Sequence, residues 1–136
     1  MRYLIDTNVC IAYLRGKNSG NITARLVMAG PGEVALCSVV KAELLYGAEH
    51  SANPDGNRAR LQRFFASIPT SLPFDDAAAD AYGGIRAQLE ARGTPIGPND
   101  LMIAAIGLSR GLMLVTHNTS EFRRVPGLRI EDWQTA

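Results

Sequence analysis

Tyr3-Leu4-Ile5-Asp6-Thr7-Asn8 is a short apolar run that stops abruptly at a carboxylate and two small polar side chains. The pattern predicts a buried strand over residues 3–5 whose carboxyl end delivers Asp6 to a polar edge. A second run, Leu112-Met113-Leu114-Val115, is the most apolar in the chain, and it ends in Thr116, His117, Asn118, Thr119, Ser120 and Glu121. Continuous apolar runs suit strands covered on both faces. In open parallel sheets, the carboxyl ends of such strands are where ligands bind.

Between these runs, strand and helix patterns alternate in the order of a parallel sheet with helical crossovers. A helix is expected over 8–15, with Thr7 as cap and Gly16 as stop, and another over 22–29, ended by Gly30-Pro31-Gly32. A strand at 34–37 leads into a helix capped by Ser38. There Val39, Ala42, Glu43, Tyr46 and Gly47 share one face, which predicts a carboxylate inside a core-facing stripe. Residues 51–57 read as a loop and 58–67 as a helix; 72–74 reads as a strand that Pro73 confines to the sheet edge. A long Ala-rich helix starts at Asp75 or Asp76 and closes at Gly93, with Gly83-Gly84 marking close packing or a bend. A rigid connector, 94–98, then enters the helix that carries Asp100, where the small residues Ala104 and Gly107 leave room above the acid. The last strand is expected at 128–130, with Trp133 anchoring the tail.

A chain of 136 residues fits one domain, 1–136, since compact domains commonly hold about 100 to 150 residues. Hydrophobic residues at 46% against 20% charged exclude an intrinsically disordered chain. No apolar run reaches the roughly 20 residues that cross a bilayer, and the N-terminus enters a strand without a signal-like segment, so a cytoplasmic location with no membrane partner is expected. Cys10 and Cys37 lack metal-ligand spacing and read as free, buried thiols. The net charge of +1 conceals a bias: of 14 basic residues only Lys17 and Lys41 are lysines. Arginine's planar fork suits phosphate, although a codon bias toward Arg would give the same composition. Acids gathered at one site would leave the remaining surface more positive than the total implies.

Taken singly, each acid has a structural explanation. Asp6 can cap a helix, Glu43 can pair with an Arg, and Asp100 can favour the positive end of its helix. Taken together they point to chemistry, because a parallel topology brings the ends of the first strand and the 112–115 strand beside the helices that carry Glu43 and Asp100. Buried carboxylates repel one another unless a cation relieves them, and an oxygen-only donor set suits Mg²⁺ or Mn²⁺. Such a centre serves phosphodiester cleavage. No P-loop, GxGxxG fingerprint, Ser-His-Asp order or Cys-His pair competes for the chemistry. His50 and His117 remain candidates for substrate contact only.

Four linked segments, YLIDTNVCIAYLRG, SVVKAELLYGAEHS, GTPIGPNDLMIAAIGLSRG and LVTHNTSEFRRVPGLRIEDW, span nearly the whole chain in order. They resemble the PIN-domain ribonucleases, in particular the VapC toxins of bacterial toxin-antitoxin pairs. The resemblance implies a three-layer α/β/α sandwich around a mostly parallel sheet and Mg²⁺- or Mn²⁺-dependent RNA cleavage. It further implies Asp6, Glu43 and Asp100 as the acidic metal-site residues, with Thr7, Asn8 and Thr116 as supporting polar groups. Asn118 departs from the pattern, standing where many PIN domains carry Asp; Glu121, one turn on, is the candidate replacement. Also implied are a VapB-type antitoxin, a homodimer and a larger complex with the antitoxin. The implied substrate is a structured RNA such as tRNA or a ribosomal loop, and the subgroup resemblance suggests the anticodon region of initiator tRNA. Two rival readings stay open. One is a haloacid dehalogenase-like phosphoryl-transfer enzyme, against which Asn8 replaces the second acid of its motif. The other is a binding module whose acidic groove docks an Arg-rich partner without turnover.

Overall fold

Strand β1 (Tyr3–Ile5) is buried along its whole length, as is β2 (Val34–Cys37). Successive side chains of a strand point to opposite faces, so these two strands must be covered on both sides. The computed structural model describes residues 1–16 and 19–134; Lys17 lies outside the described residues. It meets the burial requirement with a three-layer α/β/α arrangement. β3 (Ser71–Leu72), β4 (Met113–Val115) and β5 (Ile130–Glu131) complete a sheet ordered β3-β2-β1-β4-β5, and every pairing is parallel. Tyr3, Leu4 and Ile5 sit opposite Met113, Leu114 and Val115, so the two strongest apolar runs of the sequence pair directly.

The connections are helical. α1 (Thr7–Arg15) and α2 (Ser19–Ala29) link β1 to β2, α3 (Ser38–Glu49) and α4 (Pro54–Ser67) link β2 to β3, and α5 (Asp76–Ala91) and α6 (Pro98–Ser109) link β3 to β4. The short α7 (Thr119–Phe122) follows β4. The chain first builds outward from β1 to β3, then crosses back to β4 and β5 on the other side. The order therefore reverses between β1 and β4, and their carboxyl ends frame the crevice of a topological switch point. Asp6 and Thr116 are the first residues beyond those two ends.

Several local expectations are corrected. The cap of α1 is Asp6, not Thr7: Asp6 is extended and its carboxylate accepts the Thr7 N–H, which releases the Thr7 hydroxyl for another partner. Ser38 lies inside α3 rather than capping it; Cys37 holds the cap position and the Ser38 hydroxyl turns to the Leu72 carbonyl. α2 begins at Ser19, three residues before the expected 22. α4 begins at Pro54 rather than 58, because Asn53 caps it and Pro54 fits the first turn. β3 is shifted to Ser71–Leu72 and does lie at the sheet edge, while β5 is shifted to Ile130–Glu131.

The core face of α3 is Val40, Leu44 and Ala48; of the expected stripe, Val39 packs at the core's margin and Glu43 is half-buried, while Ala42 and Tyr46 are exposed. Alanine and tyrosine gave that stripe an apolar appearance that two candidate faces of one helix could equally claim. Gly83 and Gly84 are exposed within an uninterrupted α5, with no neighbour close to either. The small residues of α6 also serve differently from expectation. Ala104 is fully buried, and a side chain at Gly107 would meet Leu4 and Leu128 at 3.6 Å, so these positions let α6 lie close against the sheet.

The C-terminal tail is fastened as expected. Trp133 is buried, packs edge-on against Tyr3 at 5.0 Å between ring centroids, and donates its indole N–H to Glu131 at 2.8 Å. Arg25 of α2 pairs with the same Glu131 and lies over the indole. Replacing Trp133 by Ala should cost about 3–5 kcal/mol in urea denaturation, as truncation of a buried aromatic does. Trp133→Phe should cost clearly less, and equal losses for the two variants would show that the ring contributes no packing.

Candidate active site

Asp6 is only 2% exposed, although it lies one residue beyond a strand. Two donors hold it: the Thr7 N–H reaches Oδ1 at 2.8 Å, and the hydroxyl of Thr116, itself fully buried, reaches Oδ2 at 2.8 Å. The bond from Thr116 spans the switch point and fixes the β4 end against the β1 end. The Thr7 hydroxyl donates to Glu43 Oε1 at 2.7 Å, which carries the network onto α3. On the other side, the Asn118 N–H donates to the Thr116 hydroxyl at 3.0 Å, and the Asn118 side-chain amide donates to Glu121 Oε2 at 2.8 Å. Glu121 Oε1 accepts the Gly97 N–H at 3.1 Å, at the residue preceding α6.

One chain of hydrogen bonds thus runs Glu43, Thr7, Asp6, Thr116, Asn118, Glu121 and Gly97. Asp100, in the first turn of α6, stands beside Glu121 at the end of this chain. Six of the eight side chains singled out in the sequence belong to this chain, and Asp100 adjoins it. Asn8 is the exception, being exposed in the first turn of α1 and outside these bonds. His50 stacks on Tyr46 on the outer face of α3, and His117 pairs with Asp132 at 3.0 Å.

The electrostatics follow from burial and like charge. Burial raises the Asp6 carboxyl above its usual range, opposed by the bonds from Thr116 and Thr7 and reinforced by Glu43 and Glu121. Asp100 is pushed up to about 7, first by burial and then by the neighbouring Asp6, Glu121 and Glu43. Glu121 moves the other way, because Asn118 and the Gly97 N–H favour its charged form and Arg124 lies nearby. Of this pair, Asp100 is therefore the weaker acid and Glu121 the stronger. Cys10 and Cys37 lie beneath this cluster as buried free thiols, pushed up chiefly by burial and further by Asp6. Their sulfurs stay protonated and take no part as nucleophiles.

Among the described residues, no three His, Cys, Asp or Glu side chains stand in a ready-made ligand set. The chemistry of the donors nevertheless fits a hard divalent cation, because the four carboxylates and the Thr116 hydroxyl offer oxygen alone. Asp6 and Asp100 are raised first by burial and then by the neighbouring acids, and a bound cation would offset both costs. Two contributors were missed in the sequence, the Gly97 N–H and Arg124. A backbone donor leaves no mark in composition, and Arg124 is one of 12 arginines.

Residues 3–128 match the PIN domain family. Over 133 residues the chain is 44% identical to the tRNA(fMet)-specific endonuclease VapC of Shigella flexneri, with 98% of each chain covered. Among solved structures it is similar to DNA-bound VapBC from Salmonella typhimurium, with a TM-score of 0.92 at 41% identity over 98% of each chain. It is also similar to VapBC2 from Rickettsia felis bound to a DNA fragment from their promoter, with a TM-score of 0.90 at 32% identity, covering 98% of this chain and 99% of that one.

The raised carboxyl of Asp100 has a measurable effect on stability. Between its ordinary value of 3.8 and about 7, the folded state holds a proton that the unfolded state has released. The stabilisation from that proton is complete at low pH and is lost as pH rises through about 7. Metal-free protein in EDTA should therefore melt at falling temperature from pH 5 to pH 8, and Asp100→Asn should flatten the curve and melt above wild type at pH 8. A wild-type melting temperature that rises across this window would mean that the Asp100 carboxyl is not raised in the folded state.

Proposed function

The chain belongs to the PIN-domain family, and from that premise we propose that it is a metal-dependent endoribonuclease, the toxin of a type II toxin-antitoxin pair. The observation that carries this reading is the hydrogen-bonded chain linking Asp6, Glu43 and Glu121, with Asp100 beside it, at the crevice between β1 and β4. In this reading residues 1–136 act as a single domain. Asp6, Glu43, Asp100 and Glu121 would hold Mg²⁺ or Mn²⁺, with Thr7, Thr116 and Asn118 orienting them and Asn8 free to meet substrate. A bound ion of this kind supplies an activated water and counter-charge for a phosphodiester.

The chain's own residues have separate tasks. The Thr7 N–H and the Thr116 hydroxyl fix both oxygens of Asp6, so this carboxylate is oriented before substrate arrives. Thr7 also turns Glu43 inward from the rim of α3. Asn118 and Gly97 hold Glu121 in its charged form, and the proton on Asp100 lowers the repulsion among the four acids when no cation is bound.

The substrate we propose is tRNA, and initiator tRNA in the anticodon region specifically, since the Shigella relative is named for tRNA(fMet). A looped RNA exposes its backbone to a shallow site. The VapBC composition of the Salmonella and Rickettsia structures supports a VapB-type antitoxin as partner, with a homodimer of this chain inside a larger complex. A haloacid dehalogenase-like reaction is disfavoured, because the exposed Asn8 offers no second acid beside Asp6. A binding module without turnover is disfavoured by the endonuclease and ribonuclease names of the relatives. Among the described residues no helix is long and apolar enough to cross a membrane.

Antitoxin-free protein should cut tRNA with Mg²⁺ or Mn²⁺ and lose all scission in EDTA. Asp6→Asn, Glu43→Gln and Asp100→Asn should each lower the rate by about 100-fold or more, the equivalent of about 3 kcal/mol of barrier, with circular dichroism unchanged. A variant that keeps near wild-type turnover takes its residue out of the site. In calorimetric Mn²⁺ titrations, Glu121→Gln should weaken binding more than Asn118→Ala, and the opposite order would remove Glu121 from the ligand set.

A further inference from the structure

The connector from Gly93 to Gly97 leads directly into the first turn of α6, where Asp100 stands. It has few backbone anchors of its own. Pro95 and Pro98 have no N–H, and the Thr94 N–H is spent on the Leu89 carbonyl of α5. In its far half Ile96 packs partly against the core, and the polar hold comes from the segment after β4: Glu121 accepts the Gly97 N–H, and the Arg124 Nη1 donates to the Pro95 carbonyl at 3.1 Å. Residues 121 and 124 are one turn apart and joined by the bond from the Arg124 N–H to the Glu121 carbonyl at 3.1 Å, so both grips belong to one short rigid turn. Arg123, next in the chain and also exposed, makes no side-chain hydrogen bond among the described residues.

The remainder of α6 needs no such help. From Leu101 through Gly107, all but Met102 are buried in the core. The turn bearing Pro98, Asn99 and Asp100 lies outside that packing, tied to it by the bond from the Leu101 N–H to the Gly97 carbonyl and led into by the connector.

We propose that Arg124 is a positioning residue: by holding the Pro95 carbonyl it sets the connector, and through it the placement of Asp100 beside Glu121. This rests on the ribonuclease reading, yet the clamp is measurable without turnover. The Arg124 guanidinium acts through the backbone of another segment: its side-chain hydrogen bond goes to the Pro95 carbonyl and not to a carboxylate of the four acids.

The test compares full-length wild type with Arg124→Ala, Arg124→Lys and Arg123→Ala. Hydrogen exchange in metal-free protein should quicken about two- to tenfold at the amides of Gly97, Asn99, Asp100 and Leu101 in Arg124→Ala, the range that one hydrogen bond spans. The Mn²⁺ dissociation constant from calorimetry should rise by a similar factor. With tRNA, kcat should fall while KM stays within about twofold, because the lost hydrogen bond alters the placement of Asp100 and not the binding surface. Arg124→Lys, which keeps a donor and a charge, should recover most of each loss, and Arg123→Ala should change none. A raised KM with unchanged exchange and Mn²⁺ affinity would overturn the proposal and make Arg124 an RNA phosphate contact. Wild-type behaviour of Arg124→Ala in all three measurements would overturn it outright. If wild type itself cuts no RNA, the ribonuclease reading fails, while exchange and Mn²⁺ binding still decide for or against the clamp.

Discussion

A carboxylate buried at the end of a central strand is the constraint around which this molecule is arranged. Removing an ionised Asp from water costs several kcal/mol even after relaxation. The two hydrogen bonds that Asp6 accepts return roughly 1.5–3 kcal/mol each, since they are made to a charged group. That is enough to keep the acid in place and too little to restore its ordinary acidity with Glu43 and Glu121 nearby, which is why the carboxyl is raised. The fold tolerates the conflict because the surrounding sheet is strongly apolar: Leu4, Leu36, Leu114 and Val115 are fully buried.

The rest of the site distributes this excess charge. Thr7 serves two acids at once, its N–H on Asp6 and its hydroxyl on Glu43, and Thr116 ties Asp6 to the strand across the crevice. The helices α1, α3 and α7 all begin where a strand has just ended, so the positive ends of their dipoles lie on the acidic side of the sheet. Asp100, in the first turn of α6, benefits in the same way. The rise in the Asp100 carboxyl, caused first by burial and then by the neighbouring acids, also lessens the charge. Buried neighbouring carboxylates of this kind carry an unfavourable energy that a positive charge would relieve.

Charge outside the crevice is organised more loosely. Arg58, Arg86 and Arg110 form exposed pairs with Glu49, Glu90 and Asp75, contacts worth little individually. The outer stripe of α3 leaves Tyr46 exposed and stacked on His50 rather than packed inside. Arg124 differs from the paired arginines, because its partner is a backbone carbonyl in the segment that feeds Asp100 into the site.

Much of this was legible before any coordinates. The runs at 3–5, 34–37 and 112–115 are so uniformly apolar that only a doubly covered parallel strand accommodates them, and each gave a strand at or within one residue of its expected bounds. Asp6 and Thr116 followed at once, since a residue just past such a strand lands at the ligand-binding edge whatever the remaining chain does. Residue order could not assign the face of α3, because Val39, Ala42 and Tyr46 look as apolar as Val40, Leu44 and Ala48, and the choice depends on which side the sheet occupies. Nor could it place a donor that belongs to the backbone of Gly97, or single out one arginine among twelve. Local pattern names the elements and the residues at their ends, because hydrophobic period and chain stiffness act over a few positions. Which acid keeps the proton, and which arginine grips which loop, depends on distances between segments far apart in the chain, and those exist only once the sheet has closed around its core.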